Sequence, residues 1–144
     1  MIQQDTIRLL RECDAGVKMG ISSIEDVIER IDQEPMREIL DRCKQEHYEL
    51  HKKIQERLQQ FEDEGKAPNP IAKSMSWMKT TFKMGICESD KTAASLMTDG
   101  CNMGVKSLNR YLNKYEAADE VSKDITKRLI NQEEELTQSV RRFL

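Results

Sequence analysis

The chain has 144 residues, of which 34% are charged and 38% apolar, and its formal net charge is −3. Acidic and basic residues are interleaved without a basic block, which argues against a nucleic-acid partner. No apolar run approaches the roughly 20 residues that cross a bilayer, and the first residues lack the pattern of a secretory signal. We therefore expect a single cytoplasmic domain that does not enter a membrane.

Two helices are predicted in the first half of the chain. Apolar residues at intervals of three and four predict a first helix from about Asp5 to Asp32. The same spacing predicts a second helix from Pro35 to about Glu64, because proline suits the first turn and Gly65 can end the helix. These helices would form a hairpin over about residues 5–64.

A shorter helix is predicted over residues 71–84, with Asn69 as its cap and Pro70 in its first turn. Methionine and aromatic residues are concentrated in it, and both are enriched in protein interfaces. The helix either caps the open end of a bundle or forms a contact surface. The interface candidates are Met75, Trp77, Met78 and Phe82.

Two more long helices are predicted in the second half. One runs from Ser89 to about Tyr115, and the other follows a turn near Glu116 and Ala117. They would form a second hairpin over about residues 89–144, and no segment alternates with the period of a strand. The predicted fold is one all-α domain over residues 1–144, an antiparallel up-down-up-down four-helix bundle with the short helix in the crossover.

A short internal repeat links the two hairpins. The residues Cys-Asp-Ala-Gly-Val-Lys at 13–18 recur as Cys-Asn-Met-Gly-Val-Lys at 101–106. Duplication of a helical hairpin explains the repeat, with coincidence as the alternative. The pairs Gly16/Gly20 and Gly100/Gly104 have the four-residue spacing that permits close helix approach.

The segment Gly-Cys-Asn-Met-Gly at 100–104, with Lys106 and Tyr111 downstream, resembles small uncharacterised bacterial families of the ferritin-like superfamily. Two related hairpins joined by a crossover agree with that resemblance. It implies a four-helix bundle that forms homo-oligomers such as dimers. In the superfamily's enzymes it also implies a di-iron site built from two Glu residues and two Glu-x-x-His pairs.

The candidate ligands of an iron or manganese ion are Asp14, Glu46, His47, Glu49 and Glu133. Neither the second nor the last long helix contains a Glu-x-x-His pair, so the ligand set is incomplete and we expect no bound cofactor. The alternatives are an ion pair of Asp14 with Lys53, a neutral core histidine at 47, and a solvated acidic face at 133–135.

Asn102 and Gln132 fall opposite each other when the last hairpin is folded about Ala117. They form either a polar core layer that fixes helix register or a pocket for a small ligand. The four cysteines include no Cys-x-x-Cys pair and are expected to be reduced core thiols.

Three functions remain open. The incomplete ligand set favours a non-catalytic module that associates with itself or with another protein. The alternatives are an iron- or manganese-binding oxidoreductase or stress protein, and a small-ligand sensor that uses the polar layer.

Overall fold

The computed structural model describes residues 2–66 and 89–144. In these ranges the chain forms four long helices and no strand, so the prediction of an all-α helical bundle is confirmed. The helices are α1 (Ile2–Ile28), α2 (Glu34–Gln59), α3 (Asp90–Lys114) and α4 (Glu120–Val140), followed by a 3₁₀ turn at Arg141–Phe143. None of the described helices is long and apolar enough to cross a membrane.

The predicted short helix at 71–84 lies outside the described residues, and so do the four interface candidates Met75, Trp77, Met78 and Phe82.

The starts of α2, α3 and α4 agree with the sequence, whereas α1 begins at Ile2, before the predicted Asp5. The Ser89 hydroxyl accepts a hydrogen bond from the Thr92 backbone N–H, and the Asp119 carboxylate accepts one from Ser122 N–H. Each bond satisfies an N–H that has no partner inside its helix. Pro35 lies in the first turn of α2, as predicted.

The first two helices end earlier than predicted, at Ile28 and Gln59. After α2, Glu62 adopts a positive φ of 55° and Gly65 one of 93°, which turns the chain away from the helix axis. The turned segment contacts α1, because the backbone N–H of Lys66 donates to the Asp14 carboxylate. A periodic apolar pattern does not reveal this turn.

The predicted up-down-up-down order is wrong. That order requires the start of α3 to lie beside the start of α1. Instead the carboxylate of Asp90, the first residue of α3, accepts hydrogen bonds from the backbone N–H groups of Asp32 and Gln33, just beyond the end of α1. The end of α2 lies near the start of α4, where Arg57 pairs with Asp119.

The apolar core consists of two clusters. One includes Ile24, Val27, Met36, Leu40, Met97 and Leu136. The other includes Leu10, Val17, Leu50, Ile54, Leu108 and Leu129. Along α2, His47 falls between residues of the two clusters, and Glu133 does so along α4. Polar side chains therefore interrupt the core at mid-length.

Candidate functional site

His47 and Glu133 form the centre of the candidate site. Their residues are only 2% and 8% exposed, and both line the same cavity. His47 comes from α2 and Glu133 from α4, so two different helices contribute them to this cavity. Buried polar groups normally have hydrogen-bond partners, so a pair of this kind in a helical core needs an explanation.

Glycines make room for both side chains. A Cβ atom on Gly20 of α1 would stand 2.7 Å from His47 Nε2. A Cβ atom on Gly104 of α3 would stand 2.9 Å from the carboxyl carbon of Glu133. Real Cβ atoms essentially never approach so closely, so any other residue at either position would displace a buried polar group.

Both groups are uncharged near neutral pH. Burial lowers the pKa of His47 to about 4, although contacts with the Cys43 backbone and the Gln132 side chain favour its protonated form. Burial alone raises the pKa of Glu133 to about 8. Within the described parts of the chain, Glu133 Oε2 has no hydrogen-bond partner.

The thiols near this site are also held in their neutral form. Burial is the largest cause that raises the pKa of Cys43, and it raises the pKa of Cys101 to about 12. Cys43 Sγ lies 3.7 Å from His47 Nδ1. Because the thiolate is the reactive form of cysteine, neither thiol is an activated nucleophile.

A cleft between α1 and α3 leads to Glu133. It consists of two adjoining cavities that share Met19 and Glu133. The two cavities are open to solvent, and the empty space in and around them, solvent at their mouths included, is about 400 Å³ and 430 Å³. We call this space the α1–α3 cleft, and its walls include Gly16, Met19, Gly20, Met97, Gly100, Met103 and Gly104.

The two Gly-x-x-x-Gly pairs line this cleft. Gly16 contacts Leu129 of α4, since a Cβ atom there would stand 3.6 Å from the Leu129 side chain. A Cβ atom on Gly100 would meet nothing within 4 Å. Gly100 therefore faces open space in the cleft, whereas the other three glycines lie against side chains of α2 and α4. The sequence predicts close packing of α1 and α3 at these positions.

Asp14 lies in a separate polar cluster and is fully buried. Its carboxylate accepts hydrogen bonds from Gln55 Nε2 at 2.6 Å and from Lys66 N at 3.0 Å. It also lies 2.6 Å from Lys18 Nζ and 3.1 Å from His51 Nε2. The predicted partner Lys53 is exposed instead. The cluster links α1, α2 and the turn that follows α2.

The predicted metal ligands are not brought together. Asp14 is surrounded by its own donors, Glu49 is exposed, Glu46 is half-buried, and His47 and Glu133 lie at the cleft. Among residues 2–66 and 89–144, no three His, Cys, Asp or Glu side chains are arranged to hold a metal ion. The described residues therefore do not fit the di-iron or manganese centre that the resemblance implies.

The predicted polar layer is only half correct. Asn102 is exposed on α3 and does not face the interior, so that prediction is wrong. Gln132 is half-buried, and its Nε2 lies 3.5 Å from the Glu46 backbone carbonyl. The repeat explains the error: Asn102 corresponds to the buried Asp14, but the two copies lie in different surroundings.

Glu133 is the group whose surroundings the sequence misjudges. Glu133 and Gln132 lie four and three residues after Leu129, and either spacing keeps a residue on the inward stripe. The neighbouring Glu134 and Glu135 are exposed, so the predicted solvated face begins one residue later. In the structure Gly104 makes room for the Glu133 side chain. The sequence alone does not show that these two positions meet, so it does not indicate that Glu133 is buried.

Comparisons with known proteins found no match: no family model, no curated protein and no solved structure is significantly similar to the chain.

Proposed function

We propose that this chain is a non-catalytic binding module and that the α1–α3 cleft is its ligand site. The observation that carries the proposal is Glu133, a buried carboxyl group on the cleft floor whose Oε2 has no partner in the described residues. A pocket with apolar walls and a few convergent polar groups is the usual form of a small-molecule site. A bound ligand supplies the missing hydrogen bond.

The states of the core side chains support a non-catalytic role. The thiols of Cys43 and Cys101 are protonated and His47 is neutral and buried. Nucleophilic catalysis needs an activated group beside a base, and burial here opposes that activation. A cytoplasmic location agrees with three buried cysteines that are free thiols.

The fold proposal is a ferritin-like bundle in which adjacent helices are antiparallel. Asp14 of α1 contacts His51 of α2, and Glu25, further along α1, contacts Tyr48, which comes earlier in α2. These two helices are therefore antiparallel. Two hydrogen bonds join α1 to the α4 region, Thr6 with Asp119 and Cys13 with Thr126, and the partners are 113 positions apart in both. A constant separation is expected for parallel helices, such as a diagonal pair in the bundle. The proposed order is therefore up-down-down-up, with the short helix at 71–84 in the connection.

Association with a second copy is the second candidate function. Met103 is 51% exposed at the cleft rim, and exposed methionine is typical of contact surfaces. Sedimentation equilibrium tests the proposed dimer, with Trp77→Ser as the interface variant and the exposed Val121→Ser as its control. A monomer at every concentration contradicts self-association.

Elemental analysis tests the iron or manganese alternative.

Methionine-methyl NMR tests the cleft as a binding site. The probe is 1-hexanol, a neutral molecule with an apolar body and one hydroxyl group. We expect the Met19, Met97 and Met103 signals to shift and that of Met36 to stay constant, because Met36 is buried outside the cleft.

The blocking variant for this test is Gly100→Leu, which fills open space without a close contact at the Cβ atom. The shifts should be lost in this variant. If 1-hexanol moves no cleft methionine, or moves them equally in Gly100→Leu, the cleft is not a ligand site.

A further inference from the structure

The α1–α3 cleft has an acidic lining. Glu133 lies on the floor of both cavities and Glu12 lines the second. Among the described residues that line either cavity, none is a lysine or arginine. Glu12 already pairs with Lys66, whereas Glu133 Oε2 is unpartnered and buried. The cleft therefore contains a buried carboxyl group for which the described residues supply no cation.

Within residues 2–66 and 89–144, the elements that line the cleft place no positive charge beside Glu133. The titratable groups that face it are Glu12 and Cys13 from α1, Cys43 and His47 from α2, and Cys101 and Tyr111 from α3. Of these only the histidine can become a cation, and burial holds it neutral because its pKa is about 4. Nearby opposite charge is what normally stabilises a buried carboxylate.

The shape of the cleft selects an elongated, apolar ligand. The two cavities share Met19 and Glu133, so the carboxyl group lies where they adjoin. Thioether and aliphatic side chains form much of the walls, including Met97 and Leu108. An alkyl chain fits such walls, and methionine adapts readily to its shape.

We propose that the α1–α3 cleft binds a small aliphatic primary amine, with its ammonium group on the Glu133 carboxylate and its alkyl chain along Met19. The inference rests on the proposed function, because it names the ligand class of the same cleft. It also gives the buried carboxyl group the charged partner that the described residues lack.

Binding is coupled to proton release. In the free protein at neutral pH the Glu133 carboxyl group carries a proton, while a primary amine in water is already an ammonium ion. In the complex the O–H bond of Glu133 is broken and its proton goes to the solvent, which leaves a carboxylate paired with the ammonium. One proton is released for each ligand bound, and no bond of the ligand changes.

The test is titration calorimetry with n-hexylamine at neutral pH in two buffers of different ionisation enthalpy. The difference in apparent binding enthalpy should correspond to close to one released proton. 1-Hexanol, which has the same chain without the charge, should bind at least roughly tenfold more weakly. Nα-acetyl-lysine methylamide, which carries the ammonium on a peptide backbone, should also bind more weakly.

Two variants locate the effect. Glu133→Gln keeps the side-chain shape, and it should weaken hexylamine binding at least roughly tenfold and abolish proton release. Glu134→Gln alters the exposed neighbour and should behave as the wild type. If Glu133→Gln fails to fold, Gly100→Leu is the variant used in its place, because its side chain fills open space in the cleft and should weaken hexylamine binding.

Each remaining outcome is decisive. Equal affinity for hexylamine and 1-hexanol, or amine binding without proton release, would overturn the amine proposal and leave the cleft as a site for neutral ligands. Tighter binding of the lysine derivative would reassign the cleft to a partner's side chain. Failure of both probes, with unchanged methionine signals, would remove the proposed function as well.

Discussion

Gly104 and Glu133 are complementary across the interface between α3 and α4. The carboxyl group of Glu133 occupies the space that a side chain at position 104 would need, with the carboxyl carbon 2.9 Å from the Cβ position. Each residue therefore depends on the other. The glycine lets the acid stay folded into the core beside the cleft rather than reach solvent.

The glycines of α3 should respond in opposite directions to alanine. Gly100→Ala should stabilise the protein by about 0.5–1 kcal/mol, because its Cβ meets open space and glycine is unfavourable inside a helix. Gly104→Ala should destabilise it by about 1 kcal/mol, because the Glu133 carboxyl group, at the end of its side chain, must move from its buried position towards the cleft. Urea-induced unfolding measures both changes.

A double-mutant cycle identifies the cause. In a Glu133→Ala background the clash is absent, so Gly104→Ala should become neutral or stabilising. If Gly104→Ala costs the same in both backgrounds, the glycine is needed for a reason other than Glu133.

Glu133 should make the protein less stable as pH rises. Its pKa is about 8 in the folded protein against 4.5 for an ordinary glutamate, so unfolding releases a proton between these values. Stability from this group is complete below pH 4.5 and is lost as pH rises through about 8. The slope approaches about 1.4 kcal/mol per pH unit.

Glu133→Gln should remove this slope, and Glu134→Gln should keep it. Between about pH 7 and 8 the difference between Glu133→Gln and the wild type reports Glu133, since His47 is then mostly neutral and the cysteine thiols mostly protonated in both the folded and unfolded states. Unfolding free energies measured across that window decide the point. An unchanged slope in Glu133→Gln would assign it to another group.

His47 should have the opposite effect. Its pKa is about 4 when folded against 6.5 for ordinary histidine, so the unfolded chain binds an extra proton between these values. Stability from this group is present above pH 6.5 and is lost as pH falls towards 4. Where the two windows overlap, the slopes of His47 and Glu133 offset each other.

The measurement for His47 is therefore best made in a Glu133→Gln background. There, stability should rise from pH 4 to 6.5, and the further change His47→Gln should flatten that rise. A rise that survives the second change would assign it to groups other than His47.

Among the predicted metal ligands, Asp14 should be the one whose substitution lowers the free energy of unfolding most, because its carboxylate holds a buried polar cluster together. Asp14→Asn removes the charge that Lys18, His51 and Gln55 contact, and we expect a loss of about 2 kcal/mol in unfolding free energy. The control is Asp41→Asn, because Asp41 pairs with Lys44 on an exposed surface and such pairs contribute little. Equal losses would contradict a special role for Asp14.

Local signals in the sequence predict the helices well. The caps at Ser89 and Asp119 and the proline at position 35 act through neighbouring atoms, so the sequence contains the relevant information. The helix order is different, because it depends on which ends meet. The contact of Asp90 with residues 32 and 33 joins positions far apart in the chain, and no local pattern indicates it.

The candidate site was predictable only in part. A core position was one interpretation of His47, and the residue is buried in the structure. The prediction that Asn102 faces the interior was wrong, because the repeat implied equal surroundings for Asn102 and Asp14, which have different neighbours. Glu133 was ambiguous because a helix of 3.6 residues per turn leaves two adjacent positions near the edge of its inward stripe.

The central claim is that Glu133 is an uncharged, unpartnered acid on the floor of the α1–α3 cleft. The most direct test is a pH titration of its side-chain carboxyl carbon by NMR, assigned with Glu133→Gln. We expect a midpoint near 8 in the free protein, moved downward by n-hexylamine. A midpoint near the ordinary value of 4.5, unaffected by the amine, would contradict it.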